Sequence, residues 1–173
     1  MKAIIGLGNP DPKYILTRHN LGFIIVDWLK DEQGLKDFKE EKTLNALITK
    51  DKKALLAKPL TFMNDSGKAV EKIKKANKLK NEDILVIHDD MDFSPGQFKL
   101  SFNRSSAGHK GVQSVIDSIK GVNFFRLRIG TGRPKNPDKE YVLSELGKDL
   151  DTVKKKKKEI LEAVDIFLKR KVL

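Results

Sequence analysis

Residues 3–7, Ala-Ile-Ile-Gly-Leu, form an unbroken apolar run that stops at Gly8-Asn9-Pro10. A strand buried on both faces reads this way, with a turn at its end. Residues 84–87 form a second such run, which delivers His88-Asp89-Asp90 at its carboxyl end. Residues 124–129 make another strand, closed by the turn Gly130-Thr131-Gly132-Arg133-Pro134. Strands of this kind alternate here with helical segments. That alternation predicts an α/β fold: a mixed, mostly parallel twisted sheet flanked by helices in three layers. In such sheets chemistry collects at the strand ends.

The helical segments carry a different period. Residues 21–29 are apolar on most faces and predict a buried helix with Asn20 as N-cap. In residues 64–77, Ala69, Val70, Ile73 and Ala76 form one stripe, while Lys68, Lys72 and Lys75 fall on another face. Residues 111–119 repeat the pattern with Val112, Val115, Ile116 and Ile119. Residues 44–49 and 54–58 predict two strands joined by a turn. Phe98, Leu100 and Phe102 alternate with polar residues, as in a half-exposed strand. Residues 30–42 are charged and predict no element. Residues 150–172 predict one long helix whose first turns carry five consecutive lysines, 154–158. No repeat, linker or boundary interrupts the chain, so one domain over residues 1–173 is expected.

Lysine and arginine total 35 against 24 acidic residues, a net charge of +11. That excess in 173 residues favours a polyanionic partner, nucleic acid first, over a surface that is merely soluble. The absence of cysteine excludes disulfides, a thiol nucleophile and cysteine-ligated zinc. The first apolar run is too short for a membrane span or a signal core, so a cytoplasmic protein is expected.

Two of the three histidines, His19 and His88, lie in polar clusters beside apolar segments, and His109 opens a helical one. His19, between Arg18 and Asn20, sits at a helix entrance with a side chain suited to general-base work. His88, Asp89, Asp90 and Asp92 allow two chemistries: oxygen ligands for a divalent metal, or a carboxylate that orients a histidine. An acidic turn is the plain alternative. Gly6 and Gly8 lack the third glycine of a dinucleotide fingerprint. Asn9 at a strand tip offers both a donor and an acceptor. Residues 58–67 mix Phe62 and Met63 with amides, material for a peptide groove, although Asn64 also reads as an N-cap. Residues 105–111 are small and lead into a helix, as a lid or an anion-binding turn would. With no serine in an evident nucleophile elbow, water is the simplest nucleophile.

Taken together, GLGNP (6–10), YxxTRHNxGF (14–23), KPLTFMNxSG (58–67), HDDMDxxxG (88–96), GHKG (108–111) and FRLRIGTGRP (125–134) closely resemble the motifs of bacterial peptidyl-tRNA hydrolase. The resemblance runs from about residue 2 to 146. It implies cleavage of the ester between a peptide and the 3′ ribose of tRNA, which recycles tRNA from stalled translation. It implies no metal and no cofactor, a monomer, no membrane association and no obligate protein partner. By resemblance His19 is the catalytic base and Asp89 orients it. Asn9, Tyr14, Met63, Asn64, His109 and Lys110 meet the substrate, with His109 at the cleft rim. Arg128, helped by Lys99 and Arg104, grips tRNA phosphate. Three positions depart from the family pattern: Lys110 stands where asparagine is usual, Asp11 where glycine is common, and Ser101 where a basic residue commonly assists Arg128. A non-enzymatic RNA-binding protein and a metal-dependent hydrolase are the competing readings.

Overall fold

The computed structural model describes residues 1–136 and 140–170. The elements run β1 (Lys2–Gly6), α1 (Leu21–Glu32), β2 (Lys39–Glu41), β3 (Ala46–Lys50), β4 (Ala54–Pro59), α2 (Ser66–Ala76), β5 (Ile84–Asp90), β6 (Phe98–Phe102), α3 (Lys110–Ile119), β7 (Phe125–Gly130), α4 (Lys148–Lys155) and α5 (Lys157–Lys169). The strands form one sheet in the order β2-β3-β4-β1-β5-β7-β6. The four central strands, β4, β1, β5 and β7, are parallel, and antiparallel strands close both edges.

Alternation along each strand feeds two cores. Ile4, Leu56, Leu85, Ile87 and Leu127 face one way and pack against α1, α4 and α5. Ala3, Ile5, Leu55, Val86 and Ile84 face the other way, against α2 and α3. The expected three-layer α/β architecture is what the chain adopts. Glycine permits one close approach that matters for the site. A Cβ on Gly22 would collide with the Leu7 backbone and the Ile87 carbonyl. The start of α1 therefore rests directly on the tips of β1 and β5, and the turn carrying His19 is seated against both.

Two expectations are corrected. Residues 30–42 contain β2, whose three residues are all exposed. It exists through pairing with β3, Lys39 opposite Ile48, and not through its own apolar content. The tail is two helices broken at Lys156, and not one. Val153 and Ile160 are the flanking buried residues of the two helices. None of the lysines between them is buried to hold a continuous axis, and their like charges repel. Residues 171 and 172 of the expected tail helix lie outside the described residues. Among the described residues no helix is long and apolar enough to cross a membrane.

Candidate active site

The tips of β1 and β5, the turn before α1, the turn before α2 and the start of α3 surround one cleft of about 670 Å³. Asn9, Tyr14, His19, Met63, Asn64, Asp89, His109 and Lys110 all line it. The fold thus brings together every residue expected to act at the scissile bond or the peptide. Lys99, Arg104 and Arg128 lie elsewhere, in an adjoining groove of about 480 Å³. Ala107 borders both.

At the base of the cleft Asp89, 2% exposed, holds two imidazoles. His19 Nδ1 lies 2.8 Å from its carboxylate, and His109 Nε2 lies 2.8 Å from Oδ1. A carboxylate accepts, so His19 donates from Nδ1 and, when neutral, keeps a bare Nε2 lone pair. His109 is the N-cap of α3, and its Nδ1 accepts the Val112 amide hydrogen at 3.2 Å. That fixes its proton on Nε2, pointed at Asp89. His109 therefore does more than stand at the rim: both ring nitrogens are engaged. Burial alone would raise the Asp89 pKa, but the His19 and His109 charges and hydrogen bonds outweigh it and hold the carboxyl well below the usual range.

His19, Asp89 and His109 also offer three ligand atoms within 4.8 Å of one another. Their chemistry fits a metal poorly. A neutral His109 that ligates through Nε2 must carry its proton on Nδ1, where the Val112 N–H already points. The other proposed ligands are dispersed. Asp90 pairs with Arg128 at 2.7 Å and Asp92 with Arg133 at 2.6 Å. His88 is 1% exposed and donates from Nδ1 to the Asp89 carbonyl at 2.7 Å. Burial, then the neighbouring His109, pushes its pKa well down, so it stays neutral.

Asn9 is oriented by two partners. Its Oδ1 accepts the Met63 amide hydrogen at 2.9 Å. Its backbone exchanges two hydrogen bonds with the Asn20 side chain, at 2.9 and 3.0 Å. Because the Met63 N–H demands an acceptor, the Asn9 side-chain NH₂ is the half left for the cleft. Asn20 holds the α1 N-cap position, as expected, yet its side chain makes no cap bond. Its bonds to the Asn9 backbone are a role the sequence did not indicate. Asn64 is no N-cap: Asp65 holds that position, and Asn64 stands exposed on the cleft wall.

The groove follows from register. Arg126 pairs with Val86 and with Ser101, and Arg128 with Lys99, so these side chains share the sheet face that α2 and α3 cover further in. Arg126 is 3% exposed and makes no ion pair or side-chain hydrogen bond among the described residues. Burial, then the Arg128 charge, lowers its pKa to about 10, so it remains a cation at neutral pH. Arg126 escaped the sequence reading, although two arginines alternating inside a buried strand were the signal. Arg128 itself donates to Asp90 and lies 4.7 Å from the Phe93 ring centre.

Comparison with known proteins gives a consistent result. The family model described as peptidyl-tRNA hydrolase matches residues 3–173. A peptidyl-tRNA hydrolase from Thermodesulfovibrio yellowstonii is 47% identical over 149 residues, 83% of this chain and 79% of its own. One from Mesomycoplasma hyopneumoniae is 42% identical over 144 residues, covering 83% and 77%. Among solved structures, peptidyl-tRNA hydrolase from Acinetobacter baumannii superposes with a TM-score of 0.79 at 30% identity, over 95% of this chain and 94% of that one. A point mutant of the same enzyme reaches 0.86 at 28% identity, over 99% and 96%.

Proposed function

The chain belongs to the peptidyl-tRNA hydrolase family and hydrolyses peptidyl-tRNA, and we propose that it does so with His19 as the base that activates water. The observation that carries this reading is the Nδ1 contact of His19 with buried Asp89. It leaves the Nε2 lone pair for a water proton. As water attacks the ester carbonyl, His19 Nε2 takes its proton and Asp89 stabilises the imidazolium. The new C–O bond forms, the ester C–O bond breaks, and His19 returns the proton to the departing 3′ oxygen. Free tRNA and a peptide acid result.

The Asn9 NH₂ and the exposed Asn64 amide hold the peptide carbonyl and backbone, while Met63 and Tyr14 shape the cleft. His109 keeps Asp89 in place. Lys110 offers a cation at the rim. Arg128, Lys99 and Arg104, with Arg126 at the groove floor, take tRNA phosphate. The chain works as one domain and as a monomer, in the cytoplasm, without metal, cofactor or obligate protein partner.

The test is single-turnover cleavage of N-acetyl-aminoacyl-tRNA by wild type and His19→Ala. Loss of about 10²–10⁴-fold in the cleavage rate is expected, with tRNA affinity retained. A variant within a few-fold of wild type would overturn the assignment. A wild-type protein that binds tRNA and cleaves nothing would leave only the RNA-binding reading.

A further inference from the structure

Arg18 sits one residue before His19, yet its side chain turns away from the cleft centre and onto the segment ahead of α4. Its Nη1 donates to Ser144 Oγ at 2.8 Å and to the Glu145 carbonyl. Its Nη2 donates to Asp149 Oδ2 at 2.7 Å, in the first turn of α4. The guanidinium carbon lies 4.6 Å from the centre of the Tyr141 ring. Backbone bonds reinforce this seam: Arg18 N–H to Ser144 O at 3.1 Å, and Leu146 N–H to Leu16 O at 2.9 Å. Arg18 thus holds the segment at Tyr141, at Ser144–Glu145 and at Asp149. Between the first two lie Val142 and Leu143, which line the cleft.

We propose that Arg18 is a positioning residue that sets the apolar wall of the cleft, Val142 and Leu143, at a fixed distance from His19, so that the peptide end of the substrate is held for attack. The proposal rests on the cleft being the peptidyl-tRNA site. A guanidinium suits this task because one rigid fork serves three acceptors and a ring at once. A lysine offers one point charge and cannot bridge them. Only 12% of the Arg18 side chain is exposed against 35% of the Asp149 side chain, so the pair is partly shielded from solvent. His19 does not depend on Arg18 for its own orientation, since Asp89 grips its ring. Loosening the wall should therefore act on substrate capture more than on the chemical step.

The experiment measures kcat and KM on N-acetyl-aminoacyl-tRNA, and the affinity for uncharged tRNA across salt, for Arg18→Ala, Arg18→Lys, Asp149→Ala and the double alanine variant. The wall role predicts a KM raised about tenfold in Arg18→Ala with kcat within about twofold. Arg18→Lys should recover little of this. Asp149→Ala should raise KM in the same direction, and the double variant should be no worse than Arg18→Ala, because the two act through one contact. Uncharged tRNA should bind all four as it binds wild type. Three results would overturn the proposal. One is an Asp149→Ala variant that binds tRNA more tightly while Arg18→Ala flattens the salt dependence, which would make Arg18 a phosphate contact. Another is a fall in kcat at unchanged KM. The last is a set of variants equal to wild type. Turnover by wild type is read in the same assay, so a failure of the family reading is distinguishable from a failure of the wall.

Discussion

His109 donates to Asp89 Oδ1 at 2.8 Å while its other ring nitrogen accepts from Val112, so one imidazole ties the carboxylate to the first turn of α3. His19 and His109 lie with ring centres 5.0 Å apart on the same acid. Removing His109 takes one of two imidazoles off Asp89 Oδ1 and leaves the His19 Nδ1 contacts with the carboxylate in place. His109→Ala should lower kcat by about tenfold, less than His19→Ala, with KM nearly unchanged. Since a metal at this cluster would cost the Val112 bond, dialysis against EDTA should leave the wild-type rate as it was. A rate that EDTA abolishes and one divalent ion restores would reverse that conclusion.

Asp89→Asn keeps the shape and loses the charge. A kcat at least about tenfold lower is expected. Asp90→Asn should be milder on kcat, because Asp90 binds Arg128 and not His19. Stability carries a second signature. The folded pKa of Asp89 lies below its ordinary value of 3.8. A depressed carboxyl contributes stability above its unfolded pKa and loses it as pH falls through the folded one. The melting temperatures of wild type and Asp89→Asn should therefore converge as pH drops below about 3.8. A gap that stays constant down to pH 2.5 or so would show that Asp89 adds nothing through its charge.

The central strands were legible because burial on both faces forces an apolar run, and β1 and β5 need no other signal. β2 was not, because its charged residues enter the sheet only through β3. The break at Lys156 was hidden for a related reason: lysine is a good helix former, and only packing reveals where the axis turns. Within the site, the types of His19, Asp89 and Asn9 announced themselves at the ends of apolar segments. The roles of Asn20 and Arg18 did not, since each acts across long gaps in sequence, on Asn9 and on Asp149. Arg126 was lost in a strand pattern that reads as ordinary alternation, and what distinguishes it is burial without an ion pair among the described residues.

Arg126 and Arg128 should separate cleanly. Arg126 is a buried cation that makes no ion pair among the described residues, although the nearby Asp90 charge favours it, so Arg126→Met removes a weakly compensated charge and should raise the melting temperature or leave it unchanged. Binding of tRNA should weaken, and the slope of log affinity against log salt should become shallower by about one unit. Arg128→Ala should flatten the slope similarly but lower the melting temperature, because Asp90 then loses its partner at 2.7 Å. Unchanged salt slopes in both would make the groove structural.

Lys110 begins α3 at the cleft rim, exposed and with no ion pair among the described residues. A cation in a first helical turn opposes the helix dipole at a cost of some tenths of a kcal/mol, about 0.3–1 at most. No acidic residue in that turn offsets it. The placement makes sense where an anion arrives, and the tRNA end brings phosphates. Lys110→Asn should keep at least about half of the activity at low salt while tRNA binding weakens, since the amide restores a neutral contact and removes the charge. Lys110→Ala should lose the same binding and also raise KM for the peptidyl substrate, having no amide to offer. The salt series decides the matter. If the side chain meets phosphate, wild type and Lys110→Asn should differ most at low ionic strength and converge as salt rises. Identical kinetics for all three proteins at every salt concentration would show that the ammonium points only into water.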